Sequence, residues 1–235
     1  MIRALVPIAT AALVTSSAFA GGEQVVNSVA NAYQNIDTYR ATWVVDHEFV
    51  QNEPVRRSEI EVAFDRQSNR FLMRETTFEL VNNDWVIQPG GRLLVNDGNT
   101  IRWGERPHSA GASWKVTDVP VRGAGTLEIR EQLQHSQTND LLLLAGIAPS
   151  QIWTTGRIEE GFGSSGFRIV ASAKDDSAMI NVQADAQIIE LVIFGNGRTQ
   201  SLKNYTINQP IKSSLFDFTT QQATIDAMET RQARS

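Results

Sequence analysis

"LLVNDGNTIRWGERP" (residues 93–107) holds Asp97-Gly98 between two short apolar runs. An Asp-Gly pair in that setting is the strongest short-range mark of a tight hairpin, because both residues tolerate positive φ. With these two as the loop, Asn96 is expected opposite Asn99, Leu94 opposite Ile101, and Arg92 opposite Trp103. Leu94, Ile101 and Trp103 then share one face, and Leu93 and Val95 share the other. A hairpin apolar on both sides cannot lie bare in water. Both faces call for cover, and an imperfect cover leaves room for a ligand.

The same alternation extends outward. Residues 39–49 alternate Tyr39, Ala41, Trp43, Val45, His47 and Phe49 with Arg40, Thr42, Val44, Asp46 and Glu48, which predicts a strand. Further strands are expected over 60–65, 71–80, 114–119, 154–159, 167–172, 178–184, 188–194 and 199–207. Before them, Val25, Val26, Val29, Ala30, Tyr33 and Ile36 recur at helical steps, and residues 126–147 lose the alternation up to Pro149. The last apolar cluster is Leu215-Phe216-Asp217-Phe218, followed by a polar tail at 221–235 that reads as frayed. About ten strands in sequence with two helical stretches predict an α+β domain. Its core is a strongly bent antiparallel sheet, an incomplete β-barrel, with helices covering the concave face. No repeat or long linker divides the chain, so residues 21–220 are expected as a single domain.

The first twenty residues, MIRALVPIATAALVTSSAFA, have the positive start, short apolar run and Ala-Phe-Ala site of a secretory signal peptide, with cleavage expected after Ala20. The apolar run is shorter than the ~20 residues a spanning helix needs. There is no cysteine, which fits a bacterial periplasm and removes any lipid-modified cysteine after the leader. The chain carries 21 basic against 26 acidic residues, net −5, and loss of Arg3 with the leader makes it −6. With no basic run, nucleic acid is not an expected partner.

Motifs with chemical meaning dissolve in context. GFGSSG (161–166) matches G-x-G-x-x-G, but the alternating Phe167–Ala171 follows where a dinucleotide site needs a helix. His47, His108 and His135 fall in separate elements without metal-ligand spacing, and His47-Glu48 meets Gln51 where H-E-x-x-H needs a second histidine. No G-x-S-x-G elbow or Walker loop occurs, and Glu159-Glu160 and Glu59/Glu61 read as solvated strand edges. No catalytic residue, metal or cofactor is expected, and the chain is not read as an enzyme.

Three segments resemble the LolA family of periplasmic lipoprotein carriers, with its LolB-like relatives. The opening stretch is similar to that family's strand–Asp-Gly–strand ending in an aromatic and a proline. "VAFDRQSNRFLMR" (62–74) resembles the preceding strand–turn–strand with its arginine, and "SSLFDFTTQQATID" (213–226) resembles the closing F-x-F strand. The helix before "YRATWVVDHEF" and the stretch "IIELVIFGNGRTQSLKNYTIN" fall in matching order. The sequence departs at Thr219-Thr220-Gln221-Gln222, where the family has paired prolines, and in a longer segment over 71–87.

The resemblance implies an apolar interior that receives acyl chains, with Arg66 contacting helix backbone to hold a lid closed. Trp43, Phe64, Phe71, Ile101, Trp103 and Phe194 are the candidate lining. Burying a methylene yields ~0.8 kcal/mol, so a sixteen-carbon chain contributes on the order of 10 kcal/mol before ordering costs. The expected function is a periplasmic carrier or chaperone for lipids or lipoprotein acyl chains. It is expected to be monomeric, with an inner-membrane release complex and an outer-membrane receptor as partners. The second reading is an envelope sensor or scaffold that binds a protein partner with the same sheet.

Overall fold

The computed structural model describes residue 32 and residues 35–47, 51, 53–109, 111–120, 157–160, 166–173, 176–183, 188–194 and 197–232. The strands are β1 (Thr38–Asp46), β2 (Arg56–Asp65), β3 (Arg70–Val81), β4 (Asp84–Ile87), β5 (Gly91–Asn96), β6 (Thr100–Arg106), β7 (Lys115–Pro120), β8 (Arg157–Glu160), β9 (Gly166–Ala173), β10 (Asp176–Gln183), β11 (Ile189–Phe194) and β12 (Thr199–Ile207). A 3-10 turn at Ser213–Phe216 and the helix α1 (Phe218–Gln232) follow.

All strands join one antiparallel sheet in the order β7-β6-β5-β3-β2-β1-β12-β11-β10-β9-β8, with β4 paired beside β3. The sheet is strongly curved and unclosed, ending in β7 and β8. Hairpin follows hairpin on both sides, and the last strand, β12, lies against the first. The β11–β12 pairing is short, running from Leu191–Ser201 to Ile193–Thr199.

Turn chemistry sets the hairpins. Asn82 and Asn83 take φ of 52° and 71°, and Val81 pairs with Asp84 across them, a two-residue turn with both central residues left-handed. β4 is a strand beyond the one that alternation predicts over 71–80. The Asp97-Gly98 hairpin has a wider loop than expected. Asn96 pairs with Ile101 and Leu94 with Trp103, two residues away from the expected register. Only Gly98 has positive φ, at 98°, while Asp97 Oδ1 accepts from the amides of Asn99 and Thr100, both at 2.9 Å. A side-chain-closed turn replaces the tight one. The slip is by an even number, so Leu94, Ile101 and Trp103 keep one face and Leu93 and Val95 the other.

The C terminus differs more. Leu215–Phe218, expected as a closing strand, forms the 3-10 turn and the start of α1, and 221–232 are helical rather than frayed. Asp217 Oδ1 accepts from the Thr220 amide at 2.7 Å and the Thr220 hydroxyl at 2.6 Å, which caps α1. Phe218, Gln221 and Ile225 are buried at steps of three and four. Phe216 and Phe218 form a core with Ala63, Leu72, Leu93 and Val95 on the Leu93 face. Arg106 ties the helix down through Asp226, at 2.9 Å, and Glu229. The helices expected over 23–36 and 126–147 fall almost entirely outside the described residues.

Candidate functional site

Strand register arranges the face opposite α1 in rows that cross the sheet. The first runs Tyr39–Phe64–Phe71–Asn96–Ile101, and the second Tyr205–Ala41–Val62–Met73–Leu94–Trp103. Except for the half-buried Tyr205 and Trp103, every side chain in these two rows is buried. Tyr39 and Phe64 stack with ring centroids 5.5 Å apart. The third row begins Leu202–Trp43–Ile60 and turns polar at Glu75–Arg92, and the fourth is Gln200–Val45–Ser58–Thr77. The apolar field therefore has a direction: hydrocarbon-like at the Tyr39 end, polar where β2 and β3 approach their other ends.

A hydrogen-bonded cluster builds the polar corner. Ser58, 1 % exposed, donates to Glu75 at 2.9 Å and lies 2.9 Å from His47 Nε2. Glu75 also accepts from Arg92 Nε at 2.5 Å. Burial works against the Arg92 charge, but its hydrogen bond and charge contact with Glu75 outweigh that and raise its pKa. His47 is exposed as a residue, yet partial burial of its ring lowers its pKa. Arg198, Arg56 and Arg92 push the same way, and Glu75 opposes them. In a Ser-His-acid triad the imidazole stands between hydroxyl and carboxylate. Here the hydroxyl stands between, so the cluster fixes geometry rather than activating Ser58.

Three buried polar atoms on this face have no hydrogen-bond partner among the described residues: Trp43 Nε1, Asn96 Nδ2 and Gln200 Oε1. Trp43 and Asn96 are fully buried, and Gln200 is 2 % exposed. A buried polar atom without a partner costs ~1–3 kcal/mol, so a bound group that satisfied these would recover it.

The opposite face is chemically different. A groove of about 520 Å3 runs between the 206–215 segment, α1 and Arg40, and a second of about 240 Å3 adjoins it near Met228. Their floor is ionic: Arg40 donates to Glu61 at 2.6 Å, and Arg74 binds both Glu61 and Gln221. Charges paired this way make a poor seat for a hydrocarbon chain.

Of the residues named from sequence, Trp43, Phe64, Phe71, Ile101 and Trp103 all fall on the aromatic face. Phe194 ends β11 opposite Ala178. Arg66 donates to the Ile36 carbonyl at 3.0 Å and lies over the Phe64 ring at 5.3 Å, beside the first row. Ser58, Glu75, Thr77, Arg92 and Gln200 were not singled out. Their polar side chains interrupt the alternation that marks a buried face, and only strand register reveals them. The last glycine of GFGSSG, Gly166, begins β9, which pairs with β8, so a strand rather than a helix follows the motif. Among the described residues no cluster of His, Asp or Glu could hold a metal ion. Nor is any described helix long and apolar enough to cross a membrane.

No family model and no curated protein match the chain. Solved structures do. Lipoprotein LppX of Mycobacterium tuberculosis is 12 % identical with a TM-score of 0.41, over 82 % of this chain and 97 % of that one. A putative outer membrane lipoprotein-sorting protein domain from Vibrio parahaemolyticus is 8 % identical with a TM-score of 0.32, over 86 % and 100 %. PNGF-II is 10 % identical with a TM-score of 0.34, and the chain spans only 30 % of it. The match spans nearly the whole length of the first two structures.

Proposed function

We propose that this protein is an exported carrier that holds the acyl chains of a lipid or lipoprotein against the aromatic face of its sheet, in the periplasm of a bacterium. The single observation that carries the reading is the apolar field from Tyr39 to Trp43, graded into a polar corner, on an unclosed sheet whose other face is already occupied by α1. The first two rows of the face opposite the helix carry no charged side chain, whereas the groove beside the helix is floored by ion pairs. The energy scale is adequate: a sixteen-carbon chain contributes on the order of 10 kcal/mol before ordering costs, enough for micromolar binding.

Acyl chains carrying bromine quench indole on contact, so they report which face is used. Saturable quenching is expected in the wild type and in Trp85→Phe, whose ring lies under Arg57 at 4.3 Å on the other face. It is expected to be lost in Trp43→Phe/Trp103→Phe. Absence of saturable quenching in the wild type, or its persistence in the double variant, rejects the proposal. Native mass spectrometry of gently purified protein supplies a second readout. Co-purified lipid supports the carrier, and ligand-free protein favours a module that binds a protein partner.

A further inference from the structure

The larger groove beside α1 is held open by the fold itself. One wall, residues 206–215, is pinned to β1. The Asn208 amide donates to the Thr38 carbonyl and the Thr38 hydroxyl to the Gln209 carbonyl, both at 2.8 Å. The far end of that wall leads into Phe216, which is buried in the core of the Leu93 face. Arg40 on β1 and the first turn of α1, with Thr220 held by its Asp217 cap, complete the groove. Walls fixed in this way add little ordering cost when a ligand enters.

Counting ion pairs decides the charge of the groove. Arg40 and Arg74 both bind Glu61, so two guanidiniums share one carboxylate and one positive charge is left over. The Arg40 side chain remains 54 % exposed at the groove. Lys212, also in its lining, is exposed and has no acidic partner among the described residues. Glu59, in the adjoining groove, is matched by Lys203 at 2.7 Å. Asp217 is set against the positive end of α1, so the two offset each other. No carboxylate stands in the lining of the larger groove. Two net positive charges thus face one groove on a chain whose total is −5. Around them lie the hydroxyls of Thr206 and Ser214 and the apolar edges of Ile211 and Leu215. At about 520 Å3 the groove has the size of a small-molecule site. Cations beside hydroxyls match an anion that also carries hydroxyl groups, because hydrogen bonds to an ionised partner are the strong ones.

We propose that Arg40 and Lys212 form a site for a hydroxylated anion, a sugar or polyol bearing phosphate or carboxylate, in the groove between residues 206–215 and α1. The site is on the face opposite the aromatic rows and stands independently of the carrier reading. Calorimetry at ~0.15 M salt, where exposed charges are screened beyond ~8 Å, tests it with four probes. Glycerol 3-phosphate represents a free phosphorylated polyol, and glycerophosphoglycerol, a diester, represents the head of a lipid. Glycerol and inorganic phosphate are the controls. Wild type is expected to bind one of the esters at least fivefold tighter than inorganic phosphate and to leave glycerol unbound, and the tighter ester identifies the source. Lys212→Gln, at an exposed position that the fold does not need, should weaken that ester about tenfold, the scale of one charge-assisted hydrogen bond. Arg40→Gln should weaken it as well. Lys115→Gln removes an equal charge at the β7 margin, five strands from β1, and should stay within twofold of wild type. Absence of ester binding by wild type overturns the site. So does equal affinity for inorganic phosphate, which means an adventitious ion only, or equal weakening by Lys212→Gln and Lys115→Gln.

Discussion

Gly104 marks where α1 meets the sheet, and an added methyl there reports how tightly the two are locked. A Cβ on Gly104 would lie 2.6 Å from Phe218 Cζ and 3.1 Å from Trp114 Cε3, well inside van der Waals contact. Phe218 is 5 % exposed, and it packs with Phe216 against Ala63, Leu72, Leu93 and Val95, so its ring has no open direction in which to retreat. Overpacking of this kind costs about 1–3 kcal/mol. In a chain of this size Gly104→Ala should therefore lower Tm by roughly 3–10 °C. Phe218→Leu removes the obstructing ring end at a cost of about 1.5 kcal/mol. The pair Gly104→Ala/Phe218→Leu should then be less destabilised than the sum of the single changes, by about 1 kcal/mol or more. Urea denaturation of the four proteins closes the cycle. Additive behaviour, or a Gly104→Ala protein within about 0.5 kcal/mol of wild type, would refute the packing described for α1. Acyl-chain quenching of the folded Gly104→Ala protein should be unchanged, because the helix and the aromatic rows lie on opposite faces.

Removing the cap of α1 with Asp217→Ala should cost about 1 kcal/mol, measured by denaturant unfolding, and Asp217→Asn should restore most of it. His47 is held below its ordinary pKa, so the unfolded chain binds its proton more readily than the fold does. Stability from this group is complete above about pH 6.5 and declines as pH falls below it. His47→Gln should flatten the stability–pH curve between pH 7 and 5, and an unchanged slope would dismiss the effect. Asp65 and Asp217 have lowered pKa values despite the opposing effect of their burial, through hydrogen bonds from Ser68 and Arg70 and from Thr220 respectively. Their contribution is lost only as pH falls through and below the usual carboxylate range, so the two windows separate. Arg66→Leu should speed release of a bound acyl chain several-fold in stopped-flow quenching while shifting Tm by less than about 2 °C, the scale of an exposed polar contact. Unaltered release kinetics would deny Arg66 a gating role.

Alternation made the sheet legible because a strand with one buried face writes that fact into every second residue, as in 39–45; in 199–207 a register shift moves the parity between Leu202 and Tyr205. Face assignment survived even where the hairpin register did not, since a slip of two residues preserves parity. Helix α1 was harder to read. Its buried stripe is only Phe218, Gln221 and Ile225, too thin for a clear helical period, and β-branched Thr219 and Thr220 imitate a strand. The Asp217–Thr220 cap was its readable signal. The polar corner needed register, because Ser58, Glu75 and Arg92 come from three strands and no local spacing joins them.

The brief ladder between β11 and β12 carries a mechanical consequence. A closed barrel fixes its girth through strand number and stagger. Among the described residues the β11–β12 ladder runs over three pairs, Leu191–Ser201 to Ile193–Thr199, against eight between β1 and β12, so it is the narrower seam of the two. If the sheet yields under load, that seam is where its curvature would change first.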